Sequence, residues 1–403
     1  MTTSLLELSF ACCLVMASAP SCAADRVAEP FTGQKTSHDP EIILKGPRSD
    51  LAGRLQKFVN EGVIAGAVTA VASPGRISIG TVGLADVESG QPMRPDSLFA
   101  IASMTKPITA VAVMILVDDG KLSLDDPVSK FVPEFKDAKF KDGSRPKREM
   151  TIRDLLTHQS LAGDQRLEGT LEESARRLAA RPLEAQPGEK WIYGPGLTAG
   201  GRVVEVASGR PFQEFLSERI FRPLGMQDTT FEPNPEQRGR LVTLYESDAQ
   251  GKTLKPAQHW IRDFSEPVRH PNPSGGLFST AEDLGRFHLP MLDGGNAGSR
   301  ILSPASRAEM VRVQTGDQET GLGPGTGWGL GWCVVRKPQA AHEMLTVGSF
   351  GHAGAFGTQA WIDPGRRAVY VLLIQGLNVP GEAGTQMRKD FQQAAADLLK
   401  DER

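Results

Sequence analysis

A chain of 403 residues with a formal net charge of −3 is long enough for a large core and has no basic excess to neutralise a phosphate backbone. No Lys/Arg cluster with interleaved aromatic residues occurs, which argues against nucleic acid as a partner. No segment reaches the ~18 consecutive apolar residues of a membrane-spanning helix, so none is expected in the mature chain.

Residues 1–24 read as a secretory leader, with an apolar stretch from Leu5 to Ala19 and small residues Ser21, Ala23 and Ala24 before Asp25. The reading implies cleavage after Ala23 or Ala24 and a periplasmic or secreted protein, although Glu7 stands where a leader usually carries a cation. Lipid attachment at Cys22 is disfavoured by the approach Ala19-Pro20-Ser21. Cys12, Cys13 and Cys22 leave with the leader, so Cys333 is expected as a lone, buried apolar residue and no internal disulfide forms. Residues 25–48 are polar, carry Pro30, Pro40 and Pro47, and read as a linker to a catalytic domain at 49–400.

Leu51, Leu55 and Phe58 predict a helix over Asp50 to Glu61, closed by Gly62. Val63 to Ala72, the Pro74-Gly75 turn and Ile77 to Leu84 predict a β-hairpin. Pro107 to Val117 is apolar all round, as in a helix buried on every side, with Gly120 as its stop. Thr151 to Asp154 resembles a capping box, and further helices are expected at Val203 to Val206 and Phe212 to Ile220. Gly321 to Gly331 reads as a loop. Strand signals return at Trp332 to Val335, Gln359 to Ile362 and Ala368 to Ile374, before an amphipathic helix from Met387 to Leu399.

Two isolated hairpins are marginal, so strands at both ends of the chain are expected to share one antiparallel sheet. The fold class is therefore α+β: a sheet lobe from about 49–100 and 300–400, flanked by the terminal helices, and a mainly helical lobe from about 101–299. Ser103 falls at the junction of the lobes, where a cleft is expected.

Ser103-Met104-Thr105-Lys106 places a hydroxyl and an amine three residues apart at the head of the apolar helix, so both face the same way. A lysine with a depressed pKa takes the proton of such a serine, and the helix amino end favours the forming oxyanion. Tyr193, in the turn-rich stretch Trp191 to Gly196, is a candidate proton shuttle, because a phenol beside an ammonium loses its proton early. Gly351-His352-Ala353-Gly354-Ala355 precedes a strand, and its small residues admit a backbone N–H close to a bound carbonyl; His352 would line the same cleft.

These three motifs, in this order, resemble the serine β-lactamase and penicillin-binding protein superfamily. The resemblance is to class C β-lactamases, related D-alanyl-D-alanine carboxypeptidases and family VIII carboxylesterases, over roughly residues 50 to 395. Supporting stretches are Leu98 to Leu122, Leu124-Asp125-Asp126-Pro127, Leu155-Leu156-Thr157-His158, Pro223-Leu224-Gly225-Met226, Gly275 to Thr280 and Gly329-Leu330-Gly331-Trp332. The resemblance implies Ser103 as acylated nucleophile, Lys106 as its partner and proton relay, and Tyr193 as general base and then acid. It implies an oxyanion hole from the N–H groups of Ser103 and Ala355, with His158 in a structural stretch.

Two departures bear on substrate. Pro195 stands where the β-lactamases and peptidases carry an asparagine that holds the acyl amide, and His352 stands where their third motif begins with lysine. With Gly354, these residues make up the expected substrate-binding set. His342-Glu343 starts like a zinc-protease helix but meets Thr346 instead of a second histidine, and no Gly-x-Ser-x-Gly elbow occurs. Neither metal nor cofactor is called for. The expectation is an exported serine hydrolase acting on small esters or acyl compounds, with amides and β-lactams as the alternative substrates of a D,D-carboxypeptidase or β-lactamase. A non-catalytic binding protein on the same fold is the alternative from another class.

Overall fold

Strands from opposite ends of the chain meet at the centre of one sheet. The computed structural model describes residues 40–45, 50–163, 166, 169–248, 253–265, 269–292, 301–318, 320 and 322–401. The expected leader, with Cys12, Cys13 and Cys22, lies outside the described residues, as does the tether up to residue 39. The chain divides into Met1–Lys35 and a single unit, Thr36–Arg403, which is the one described below.

Across the sheet, β1 (Glu41–Lys45) is followed by β3 (Arg76–Asp86), β2 (Gly66–Ser73), β13 (Ala368–Leu373) and β12 (Gln359–Asp363). Then come β11 (Phe350–Ala353), β10 (Cys333–Val335) and β9 (Thr326–Trp328), with β4 (Gln91–Pro92) beside β3. β2 pairs antiparallel with β3 in the expected hairpin and, on its other edge, with β13 from Ala72↔Val369 to Val68↔Leu373. Side chains alternate across these strands. Val68, Ala70, Val369 and Val371 face one core with Ile108 and Val111, while Ala67, Val71, Tyr370 and Leu372 face another with Leu55, Phe58, Phe391 and Leu399.

Five local expectations are corrected, four of them in the strands and the first helix. Glu41–Lys45, inside the stretch expected as a linker, forms an edge strand, and it pairs parallel to β3 in a sheet expected to be antiparallel; three apolar residues between prolines give too short a period to read. The first helix is split into α1 (Asp50–Gly53) and α2 (Gln56–Asn60), as Gly53, with its low helix propensity, allows. Thr326–Trp328 is a strand within the glycine-rich loop. Phe350–Ala353 is itself a strand, and only Gly354 to Gly357 forms the turn before β12.

Helix α3 (Thr105–Asp118) is buried from Thr105 to Leu116. Its end is a paired Schellman closure, Lys121 N–H to Leu116 O at 2.9 Å and Gly120 N–H to Val117 O at 2.9 Å, with Gly120 at φ 68°. The middle of the chain supplies α4 (Ile152–Leu156), α5 (Leu171–Ala179) and α6 (Gly196–Ser208), the first two begun by capping boxes on Thr151 and Thr170. Phe212–Leu216 then runs into a five-residue π turn, Ser217–Phe221, where a single helix was expected. Cys333 is buried, and burial pushes its thiol up to about 12, as suits an inert core residue. Among the described residues no helix is long and apolar enough to cross a membrane.

Candidate active site

Ser103 is presented by a backbone held on both sides. β5 (Phe99–Ala100) pairs with β8 (Phe278–Ser279), and Ile101 N–H continues the ladder to Leu277 O at 3.0 Å. The chain then turns sharply at Ala102, whose φ of 44° is a left-handed conformation costing an alanine about 1–2 kcal/mol. Thr105 pins the turn by donating to Ala102 O at 2.7 Å and accepting from Leu277 N–H at 3.2 Å. Ser103 stays partly exposed while its neighbours are buried.

Lys106, one helical turn on, is wholly buried. Its Nζ lies 3.2 Å from Ser103 Oγ and donates to Ser274 O at 2.6 Å. Burial pushes its amine well below the ordinary lysine range. Tyr193 lies beside the same serine, close enough for Ser103 to draw the pKa of its phenol down against the larger effect of burial, and Lys106 Nζ sits 4.8 Å from the centre of its ring. The geometry thus brings together the three residues expected to carry the chemistry.

The protonation expected of Tyr193 is corrected. Burial pushes the phenol up to about 12 against the smaller opposing effect of Ser103. A phenol loses its proton early only beside a persistent ammonium, and the buried Lys106 is disposed to be a neutral amine.

The residues expected to bind substrate fare differently. His352 is 1% exposed, its Nδ1 donates to Ala353 O at 2.6 Å, and it packs against Trp328 and Tyr193 with ring centres 5.5 and 6.2 Å away. Burial, then the charge of Lys106, pushes it down to about 3, so it is a neutral wall of an aromatic cluster rather than an open anchor. Pro195 is also buried, at the head of α6. Ala355, by contrast, is exposed at the turn after β11, and among the described residues no backbone group accepts from its N–H.

Gly354 sets the spacing between this turn and the serine. A Cβ there would lie 2.5 Å from Ile101 O and 2.2 Å from Thr358 Oγ1. Gly354→Ala is expected to push β11 off the serine segment and lower kcat at least about tenfold, with a stability loss of about 1–3 kcal/mol. Steady-state kinetics and thermal melting read the two effects, and wild-type values of both would remove Gly354 from the site.

Sequence reasoning passed over three participants. Ser274 supplies the carbonyl that receives Lys106, and its Oγ lies 2.8 Å from Thr198 Oγ1; its place just before Gly275-Gly276 was the available signal. Trp328 faces His158, Tyr193 and His352 from the strand read as a loop. Gly194 approaches the 161 backbone so closely that a Cβ would lie 2.0 Å from Leu161 O, which fixes the tyrosine loop in place.

Comparison with known proteins identifies the family. The family model described as Beta-lactamase matches residues 51–395. The chain is 32% identical over 377 residues to "Esterase EstB" of Burkholderia gladioli, covering 83% of this chain and 93% of that one. It is also 32% identical over 335 residues to "Penicillin-binding protein 4" of Amycolatopsis lactamdurans, covering 80% and 84%. Among solved structures, EstCE1, described as "a hydrolase with promiscuous acyltransferase activity", superposes with a TM-score of 0.73 at 25% identity, covering 85% of this chain and 98% of that one. With a match across nearly the whole described unit and an esterase relative of almost equal span, the chain belongs to the Beta-lactamase family and is a serine hydrolase.

Proposed function

We propose that the protein hydrolyses small esters through an acyl-enzyme on Ser103. The observation that carries the reading is the convergence of a wholly buried amine, 3.2 Å away, and a phenol on the one partly exposed hydroxyl. In acylation, Ser103 O–H gives its proton to the lone pair of Lys106 as Oγ bonds to the ester carbonyl carbon. The N–H groups of Ser103 and Ala355 receive the developing oxyanion. As the C–O bond to the alcohol breaks, Tyr193 O–H protonates the departing oxygen, and Lys106 returns a proton to the phenolate. Water then adds to the acyl carbon as its proton passes to Lys106, which returns that proton to Ser103 Oγ as the acyl–oxygen bond breaks and the acid leaves.

Esters are favoured over amides by two positions. Pro195 has no side-chain group to hold an acyl amide, and the buried, neutral His352 offers no cation to a substrate carboxylate. The "Esterase EstB" relative supports the same direction. Export through residues 1–24 belongs to this reading.

The test is a panel of p-nitrophenyl esters, cephalosporins, penicillins and D-alanyl-D-alanine peptides, with intact-mass spectra of protein recovered from outside the cytoplasm. Ester turnover, an acyl adduct mapping to Ser103 and a mass lacking the leader are expected. Turnover of peptide or β-lactam with inert esters would reverse the substrate assignment.

A further inference from the structure

We propose that His158 is the positioning residue that holds the Tyr193 phenol on Ser103, acting on the tyrosine and the residues either side of it. The inference rests on the proton-donating role proposed for Tyr193. His158 O accepts from Ile192 N–H at 2.7 Å. His158 Nδ1 accepts from Gly194 N–H at 3.3 Å. Between them, the imidazole ring lies 4.5 Å from the ring of Tyr193. Three consecutive residues of the tyrosine loop therefore depend on one side chain and its carbonyl.

The local backbone is built to deliver that side chain. Helix α4 starts with the Thr151/Asp154 capping box, and Arg148 grips Asp154 with two bonds of 2.6 and 2.9 Å. Its far end closes as a Schellman turn, Gln159 N–H to Asp154 O at 3.0 Å, which puts His158 in the left-handed position at φ 58°. Glycine is the ordinary occupant of that position because it carries no steric penalty there. Occupation by histidine is strain, and strain of this kind gathers where a side chain is needed in one place. The ring is buried, and burial with the nearby Lys106 holds the imidazole well below its usual pKa. A neutral ring keeps Nδ1 free to accept; a protonated one would have a donor there and lose Gly194.

The test compares His158→Gly, His158→Leu and His158→Asn with Tyr193→Phe and the double variant His158→Gly/Tyr193→Phe. The readouts are kcat and KM on a p-nitrophenyl ester and the melting temperature. Glycine relieves the backbone but leaves a cavity where the buried ring stood, so a purely structural role predicts a lower melting temperature with full kcat in the folded enzyme. Positioning predicts a kcat about 30-fold lower or worse with KM within about threefold, since small displacements of a reacting group cost up to about 100-fold. Asparagine tolerates the left-handed backbone and places an acceptor near Nδ1, so it is expected to recover at least about a third of wild-type kcat, whereas leucine is not. In the Tyr193→Phe background the glycine substitution is expected to cost less than about threefold more.

A folded His158→Gly enzyme at wild-type kcat overturns the proposal, as do additive losses in the double variant. If the glycine variant melts lower and is also slow, the leucine and asparagine pair decides, and equal kcat in the two overturns it. A slow Tyr193→Phe beside a fast His158→Gly sinks the positioning role alone. Wild-type activity in Tyr193→Phe sinks the role of the tyrosine and this inference with it.

Discussion

Ser103→Ala should reduce ester hydrolysis at least about 1,000-fold and abolish labelling by a fluorophosphonate, while the melting temperature stays at the wild-type value. Loss of a hydrolase nucleophile typically costs between about 10⁴ and 10⁶ in kcat, less the background left by an intact oxyanion hole. The fold should not register the change. Ser103 is partly exposed, and Lys106 retains its bond to Ser274 O when the hydroxyl is removed. The turn at Ala102 is pinned by Thr105 and Leu277, not by the serine side chain. Labelling of the alanine variant at the wild-type rate would place the nucleophile elsewhere.

Lys106→Met should be nearly as damaging, with kcat/KM lower by about 1,000-fold or more, because it removes the base on the attacking oxygen and the group that resupplies Tyr193. Methionine keeps the length of the buried stem, so packing around the head of α3 is preserved and circular dichroism should report a folded protein. The pH profile carries the sharper test. The lysine is depressed by burial, and its neutral form is the active one, so kcat/KM should rise with pH as the amine deprotonates and level off well below the ordinary lysine range. Loss of the phenol proton, pushed up to about 12, should not limit activity below that pH. A kcat/KM that climbs only near the usual lysine pKa would mean that Lys106 is charged in the working enzyme, and the assignment of Lys106 as resting base would fall.

How much of this site was legible depended on whether the information lay along the chain or across it. Ser103 and Lys106 could be read directly, because one helical turn puts residues three apart on the same face, and the apolar run after them required a buried helix. Tyr193 could be named but not its protonation, since that depends on how much protein covers it and on the charge of a lysine 87 positions earlier in the chain. His352 and Pro195 were read as substrate contacts from their motif positions; their burial under Trp328 and at the head of α6 could be seen only once the strands and the tyrosine loop had been brought together. His158 shows the same limit from the other side: its helix and capping box were written in Thr151 to Asp154, but its three contacts reach a segment more than thirty residues away.

Local patterning therefore determined the hairpin, the buried central helix and its glycine stop, the chain-end strands and the serine–lysine pair, because propensity, periodicity and short-range spacing act within a few residues. The parallel edge strand, the left-handed turns at Ala102 and His158, and the protonation of Lys106, Tyr193 and His352 were decided by tertiary structure alone. Strain at a turn is tolerated only where surrounding contacts offset it, and a charge is lost only where distant segments exclude water.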